Sequence, residues 1–210
     1  MICDYDKYIN IPNSVFVNNA LNVDILSNKC LFAKFMMQHF PNNIPKTLYY
    51  SFGENTYIDQ KYIMQQKNDC VLISKPVLGS GGAGIKIVSD IDTSELNVII
   101  SEYIDHNMYC VGHVLVNNGK ILKIIYFITK NYICRGAVSD YEIVENINVD
   151  TDIFNDIFYK LNYSGFACIN FCISDNIVKI FEINPRIGKS LYNAQKYLFD
   201  YIKIVIDHNL

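Results

Sequence analysis

The feature that most constrains this fold is a glycine-rich loop, Gly79-Ser80-Gly81-Gly82-Ala83-Gly84, with a strand pattern on each side. Residues 71–76 are rich in branched side chains and run through Lys75-Pro76 into the loop. Residues 85–88 leave it as a second short strand. A phosphate loop of the P-loop or dinucleotide type leads from a strand into a helix. No helical spacing follows here, so the loop is expected to join two strands. Its glycines let backbone amides come close to an anion, and Lys75 supplies a cation at the loop's entrance. This pairing suits a polyphosphate.

The rest of the chain predicts mostly antiparallel strands with helices packed on them. Strands are expected over 47–51 and 98–104. A hairpin is expected over 109–116 and 121–129, turned by Asn117-Asn118-Gly119, and another over 166–173 and 177–184. Apolar residues at helical spacing predict helices over 28–39, capped by Ser27, over 152–161, and over 190–207, with a short one over 59–66. Residues 1–26 show no clear period and read as an irregular lead-in.

Half of the 210 residues are apolar and the formal charge is −3, which fits a packed globular protein and gives no basic footprint for nucleic acid or an anionic membrane. The seven cysteines are scattered without a CxxC pair, so they read as small buried hydrophobes rather than zinc ligands. With no leader pattern and no long apolar run, a soluble protein of the reducing cytoplasm is expected.

A second chemical constellation lies at Phe181-Glu182-Ile183-Asn184-Pro185-Arg186. Glu182 and Asn184 are two apart, so on a strand both face the same way with the hard oxygen donors that Mg²⁺ prefers. Asn170 joins them from the neighbouring strand if the hairpin loop holds an odd number of residues. With a two-residue loop it falls on the other face, and the bland alternative is a core amide. Arg186 is placed to neutralise charge on a γ-phosphoryl group. Arg135 and Arg186 are the chain's two arginines; Arg135 is either a clamp for a carboxylate or acyl phosphate, or a surface residue. Glu102-Tyr103-Ile104 reads as a hinge that holds adenine. Lys29, which opens the first long helix, either reaches a phosphate or stays solvated.

These motifs resemble those of the ATP-grasp family over about residues 28–190. The resemblance implies an α+β fold in which two lobes with mainly antiparallel sheets clasp ATP: residues 27–104 with the glycine loop, and 105–210 with the metal site. It implies that Lys29, Lys75, Gly79, Ser80, Gly81, Gly82 and Gly84 hold phosphates, that Glu102, Tyr103 and Ile104 hold adenine, and that Glu182, Asn184 and Asn170 face Mg²⁺. It also implies that Arg186 faces the γ-phosphate; with Arg135 as the clamp considered above, these two are the catalytic candidates. The implied activity is carboxylate–amine or carboxylate–thiol ligation through an acyl phosphate. The alternative is a silent ATP-binding module that needs a partner protein. The hairpin carrying Asn170 is most similar to the ATP-grasp halves of the carbamoyl-phosphate synthase large subunit, where a glutamine stands in its place. Family enzymes usually carry a preceding α/β domain, which residues 1–26 are too few to build. The expectation is therefore a small or polymeric acceptor, a wall supplied by another protein or a second copy, or lost catalysis.

Overall fold

The computed structural model describes residues 20–61, 71–79, 81–105, 108–129 and 141–207. Two five-stranded sheets dominate it, and every strand pairing in both is antiparallel. The first contains β1 (Thr47–Phe52), β2 (Asn55–Ile58), β3 (Leu72–Pro76), β4 (Lys86–Val88) and β5 (Val98–Glu102) in the order β2-β1-β5-β3-β4. The second contains β6 (Tyr109–Asn117), β7 (Lys120–Thr129), β8 (Glu142–Val144), β9 (Gly165–Ser174) and β10 (Ile177–Asn184) in the order β10-β9-β6-β7-β8. The helices are α1 (Ala20–Ser27), α2 (Lys29–His39), α3 (Asp152–Leu161), α4 (Lys189–Asn193) and α5 (Gln195–Asp207). Among the described residues no helix is long and apolar enough to cross a membrane.

One apolar cluster runs from Phe32 and Met36 on α2, through Tyr50 and Ile99 of the first sheet, to Phe154 and Phe158 on α3 and Ile169, Phe171, Ile180 and Ile183 of the second. Each fully buried aromatic here contributes about 1.5–3 kcal/mol of apolar transfer energy. The opposite face of the second sheet packs Val111, Phe127 and Cys168 against Leu191 of α4 and Tyr201 of α5. In the first sheet, Leu48, Leu72 and Ile100 form a separate small core.

Several local expectations are corrected. Residues 20–27 are a helix, not an irregular lead-in. Its apolar residues surround the axis instead of forming a stripe, with Val23 and Leu26 buried while Leu21 is exposed. It lies against the second sheet's lobe, where the Asn22 amide donates to the Leu161 carbonyl at 2.6 Å. The cap of α2 is Asn28, not Ser27: the Asn28 Oδ1 accepts from the amides of Cys30 and Leu31 at 2.9 and 3.2 Å. The Ser27 hydroxyl instead donates back to Val23 O at 2.6 Å and closes α1. The last helix breaks at Ala194 into α4 and α5. Most of the short helix expected over 59–66 lies outside the described residues.

The two hairpins turn as their residue types dictate. Asn118 and Gly119 sit at φ 47° and 78° between β6 and β7, the left-handed pair of a tight two-residue turn. Between β9 and β10 the loop is Asp175-Asn176, also left-handed at φ 52° and 61°. It holds two residues, the case that by counting alone puts Asn170 opposite Phe181. A β-bulge between Ile180 and Glu182 adds a residue to β10, so Asn170 pairs with Glu182, Ile169 with Ile183 and Cys168 with Asn184. The bulge turns Glu182 and Asn184 onto the face that carries Asn170.

Candidate functional site

A cavity of about 440 Å³ opens where the two sheets approach each other. From the first lobe it is lined by Lys29, Lys75, Gly79, Gly81 and Gly82, and by the hinge Glu102, Tyr103 and Ile104. From the second it is lined by Asn170, Phe181, Glu182, Asn184 and Arg186. Gly84 is not in the wall. It shapes the loop from behind at φ +76°, where a Cβ would stand 2.6 Å from Pro76 Cγ. Ser80 and Arg135 lie outside the described residues.

Lys29 arrives at the cleft because α2 begins there. Its backbone amide donates to Val77 O at 3.3 Å, which fixes the helix start beside the strand that enters the glycine loop. The ammonium then bridges the lobes, donating to Gly79 O at 3.1 Å and standing 3.6 Å from Glu182 Oε2. Lys75, next to last in β3, holds its ammonium 5.2 Å from the centroid of the Phe181 ring, a cation–π distance. Both first-lobe cations therefore rest on the bulge of β10.

Glu182 is held from several sides. Its Oε1 accepts from the Asn170 amide at 3.2 Å and the Asn184 amide at 3.1 Å, while Oε2 faces Lys29. The Tyr109 hydroxyl donates to Asn170 Oδ1 at 2.6 Å, and the Tyr109 ring stacks on Phe181 at 6.2 Å. After Pro185, the Arg186 amide turns back to donate to Asn184 O at 2.8 Å, and Arg186 lines the cavity.

The hinge is partly committed to the fold. Glu102 Oε1 accepts from the Lys46 amide at 2.8 Å, and the Tyr103 amide donates to Val71 O at 2.7 Å.

Some wall residues carry no spacing signal in the sequence. Tyr109 enters through the β6–β9 pairing, and Ser190 enters with α4. Behind Ser190, the buried His113 holds its hydroxyl at 2.8 Å through Nε2, and Nδ1 has no partner among the described residues. Burial pushes His113 down to about 3, so the ring is neutral. Gly188 makes this packing possible: a Cβ there would stand 2.5 Å from His113 Cε1 and 2.7 Å from Cys168 Sγ. Burial, with the Glu182 charge second, pushes the Cys168 thiol up to about 12, so it is a poor nucleophile. Among the described residues there is no cluster of three or more His, Cys, Asp or Glu side chains. The cation chemistry open to the β10 side of this cleft is that of the Glu182 carboxylate with amide oxygens, which suits a hard ion.

A family model of the ATP-grasp domain matches residues 26–190. The chain belongs to the ATP-grasp family. It is 28% identical over 186 residues to an uncharacterized protein of Methanocaldococcus jannaschii, a match covering 83% of this chain and 44% of the relative. Phosphoribosylamine–glycine ligase from Thermotoga maritima superposes with TM-score 0.59 at 17% identity, over 88% of this chain and 54% of that one. The D-alanine–D-alanine ligase of Bacillus anthracis complexed with ATP superposes with TM-score 0.50 at 20% identity, over 80% of this chain and 57% of that one. The chain thus spans about half the length of the proteins it matches. The two antiparallel sheets and their helices are the α+β ATP-grasp fold expected from the motifs.

Proposed function

We propose that this chain is an ATP- and Mg²⁺-dependent ligase that activates a carboxylate as an acyl phosphate and joins it to an amine or thiol. The observation that carries the reading is a single cavity receiving two lysines and bare glycine backbone from one lobe, and a carboxylate, two amides and a guanidinium from the other. That is the donor set a triphosphate and its cation need. Residues 27–104 form the lobe that presents the loop and hinge, and 105–210 the lobe that presents the metal side.

Lys75 and Lys29 bind the phosphates, and the amides of Gly79, Gly81 and Gly82 approach their oxygens. Glu102, Tyr103 and Ile104 hold adenine. Glu182 and Asn184 fit Mg²⁺, since both offer hard oxygens on one strand face and Asn170 lies beside them. The ion, when bound, would neutralise charge on the phosphoryl oxygens. Arg186, which lines the cavity two residues beyond Asn184, faces the transferred group, and positioning supplies most of the rate.

ADP release measured with ATP, Mg²⁺ and a panel of carboxylates paired with amines or thiols tests the reading. Acceptor-dependent ADP release should appear with at least one pair, and Glu182→Gln should lower it by about 10²-fold or more, the scale of losing one preorganised charge-stabilising group. Tight ATP binding with no acceptor-dependent release would instead identify a nucleotide-binding module.

A further inference from the structure

The hydrogen bonds around Glu182 also bear on how many cations the cleft takes, an inference that rests on the nucleotide–metal reading above. An ionised carboxylate can only accept, so an asparagine beside it must turn its NH₂ toward it. Both Asn170 and Asn184 do so, and both address the same oxygen, Oε1, at 3.2 and 3.1 Å. Their other ends differ. Asn170 Oδ1 accepts from the Tyr109 hydroxyl at 2.6 Å. Among the described residues nothing donates to Asn184 Oδ1.

Asn170 is thus fixed at both ends, and it is buried at 8% exposure. Its Oδ1 keeps a second lone pair on the Tyr109 side, but presenting oxygen to an ion on the Glu182 side would mean flipping the amide. That would set Oδ1 against Oε1 and turn the NH₂ toward the hydroxyl that now donates. Glu182, for its part, has Oε1 occupied by two N–H donors, so it cannot bridge two ions through both oxygens. Oε2 is the oxygen left for a cation, and it is the one that faces the Lys29 ammonium.

We propose that the cleft takes one divalent cation with its nucleotide, through Glu182 Oε2 and Asn184 Oδ1, and that Asn170 and Tyr109 are positioning residues that aim the Glu182 carboxylate. Tyr109 stands to Glu182 as an outer partner stands to a metal ligand, acting through one intervening amide.

The test counts Mn²⁺ bound per bound β,γ-imido-ATP by electron paramagnetic resonance of the free ion during equilibrium dialysis, so no turnover is needed. The wild-type chain should bind one Mn²⁺ per nucleotide. Tyr109→Phe keeps the ring that stacks on Phe181 and removes only the hydroxyl; it should keep that count and weaken Mn²⁺ about tenfold, the scale of losing an outer-shell partner. Asn170→Ala should act in the same direction with the same count. Two Mn²⁺ per nucleotide in the wild type would overturn the inference and leave the nucleotide reading standing. So would an unchanged Mn²⁺ affinity in Tyr109→Phe beside a loss in Asn170→Ala, which is the pattern of a direct ligand. No bound nucleotide at all would overturn both together.

Discussion

Replacing Lys29 by Met should move two affinities in opposite directions. The Lys29 ammonium stands 3.6 Å from Glu182 Oε2, with side-chain exposures of 15% and 30%. At that distance the Coulomb attraction is about 1 kcal/mol at the dielectric of water and about 5 kcal/mol at an effective dielectric of 20. A half-buried pair lies between these limits, and part of the gain is offset by desolvating both ends. The lysine therefore stands where a cation would sit, and a metal ion arriving alone must displace it. Met keeps the apolar stem and removes only the charge. The affinity for Mn²⁺ without nucleotide should rise about tenfold, equivalent to roughly 1.4 kcal/mol. The affinity for β,γ-imido-ATP with Mg²⁺ should fall by about tenfold or more, because a phosphate-facing cation is lost. Isothermal titration of each ligand alone and of the two together reads both constants. If both fell, or if the metal constant stayed fixed while nucleotide weakened, Lys29 would not be holding the cation's place.

Other substitutions separate loop geometry from stability. Gly84→Ala forces a side chain to φ +76° and its Cβ to 2.6 Å from Pro76 Cγ. Strain of about 1–2 kcal/mol should displace the loop and weaken β,γ-imido-ATP binding about tenfold. Gly53→Ala, also at positive φ (+56°) but with open space around it, should cost about 1 kcal/mol in urea unfolding and leave nucleotide binding unchanged. His113, held down to about 3 in the folded chain, takes up a proton first in the unfolded chain, near pH 6.5. Its contribution to stability is thus present above that value and is lost as pH falls toward 3, at up to about 1.4 kcal/mol per pH unit. The difference in unfolding free energy between wild type and His113→Gln should shrink along that slope from pH 6.5 to 4.5, and a difference independent of pH would refute it.

The parts of the fold and site that were legible in the sequence are those whose cause is local. The glycine loop, the Asn118-Gly119 turn and the α3 stripe of Phe154, Ile157, Phe158 and Leu161 each carry their reason within a few residues. What escaped depends on neighbours distant in sequence. The helix at 20–27 has no single apolar side to announce it, and β2 and β8 are edge strands of four and three residues. Ser27 and Asn28 are both good caps, and only the folded backbone shows which amides each one meets. Tyr109, 61 residues from its partner Asn170, lines the cleft, and His113, 77 from Ser190, backs its wall, through contacts that no spacing reveals.

The β10 bulge lies between these two classes, since its signal was present in the sequence. Val178 and Ile180 share one parity, and Ile183 breaks it, yet all three pack in the same core cluster. A regular strand cannot place positions three apart on one face. Continued from the Asp175-Asn176 turn without a bulge, the pairing would put Asn170 opposite Phe181 and Glu182 opposite Ile169. The carboxylate would then point toward Phe154 and Phe171, where an unpaired charge costs several kcal/mol. One extra residue in β10 resolves this. It returns Ile183 to the core, brings Phe181 under the Lys75 ammonium, and delivers Glu182 to Asn170, Asn184 and Lys29. The same residue that keeps the core apolar therefore creates the acidic side of the cleft.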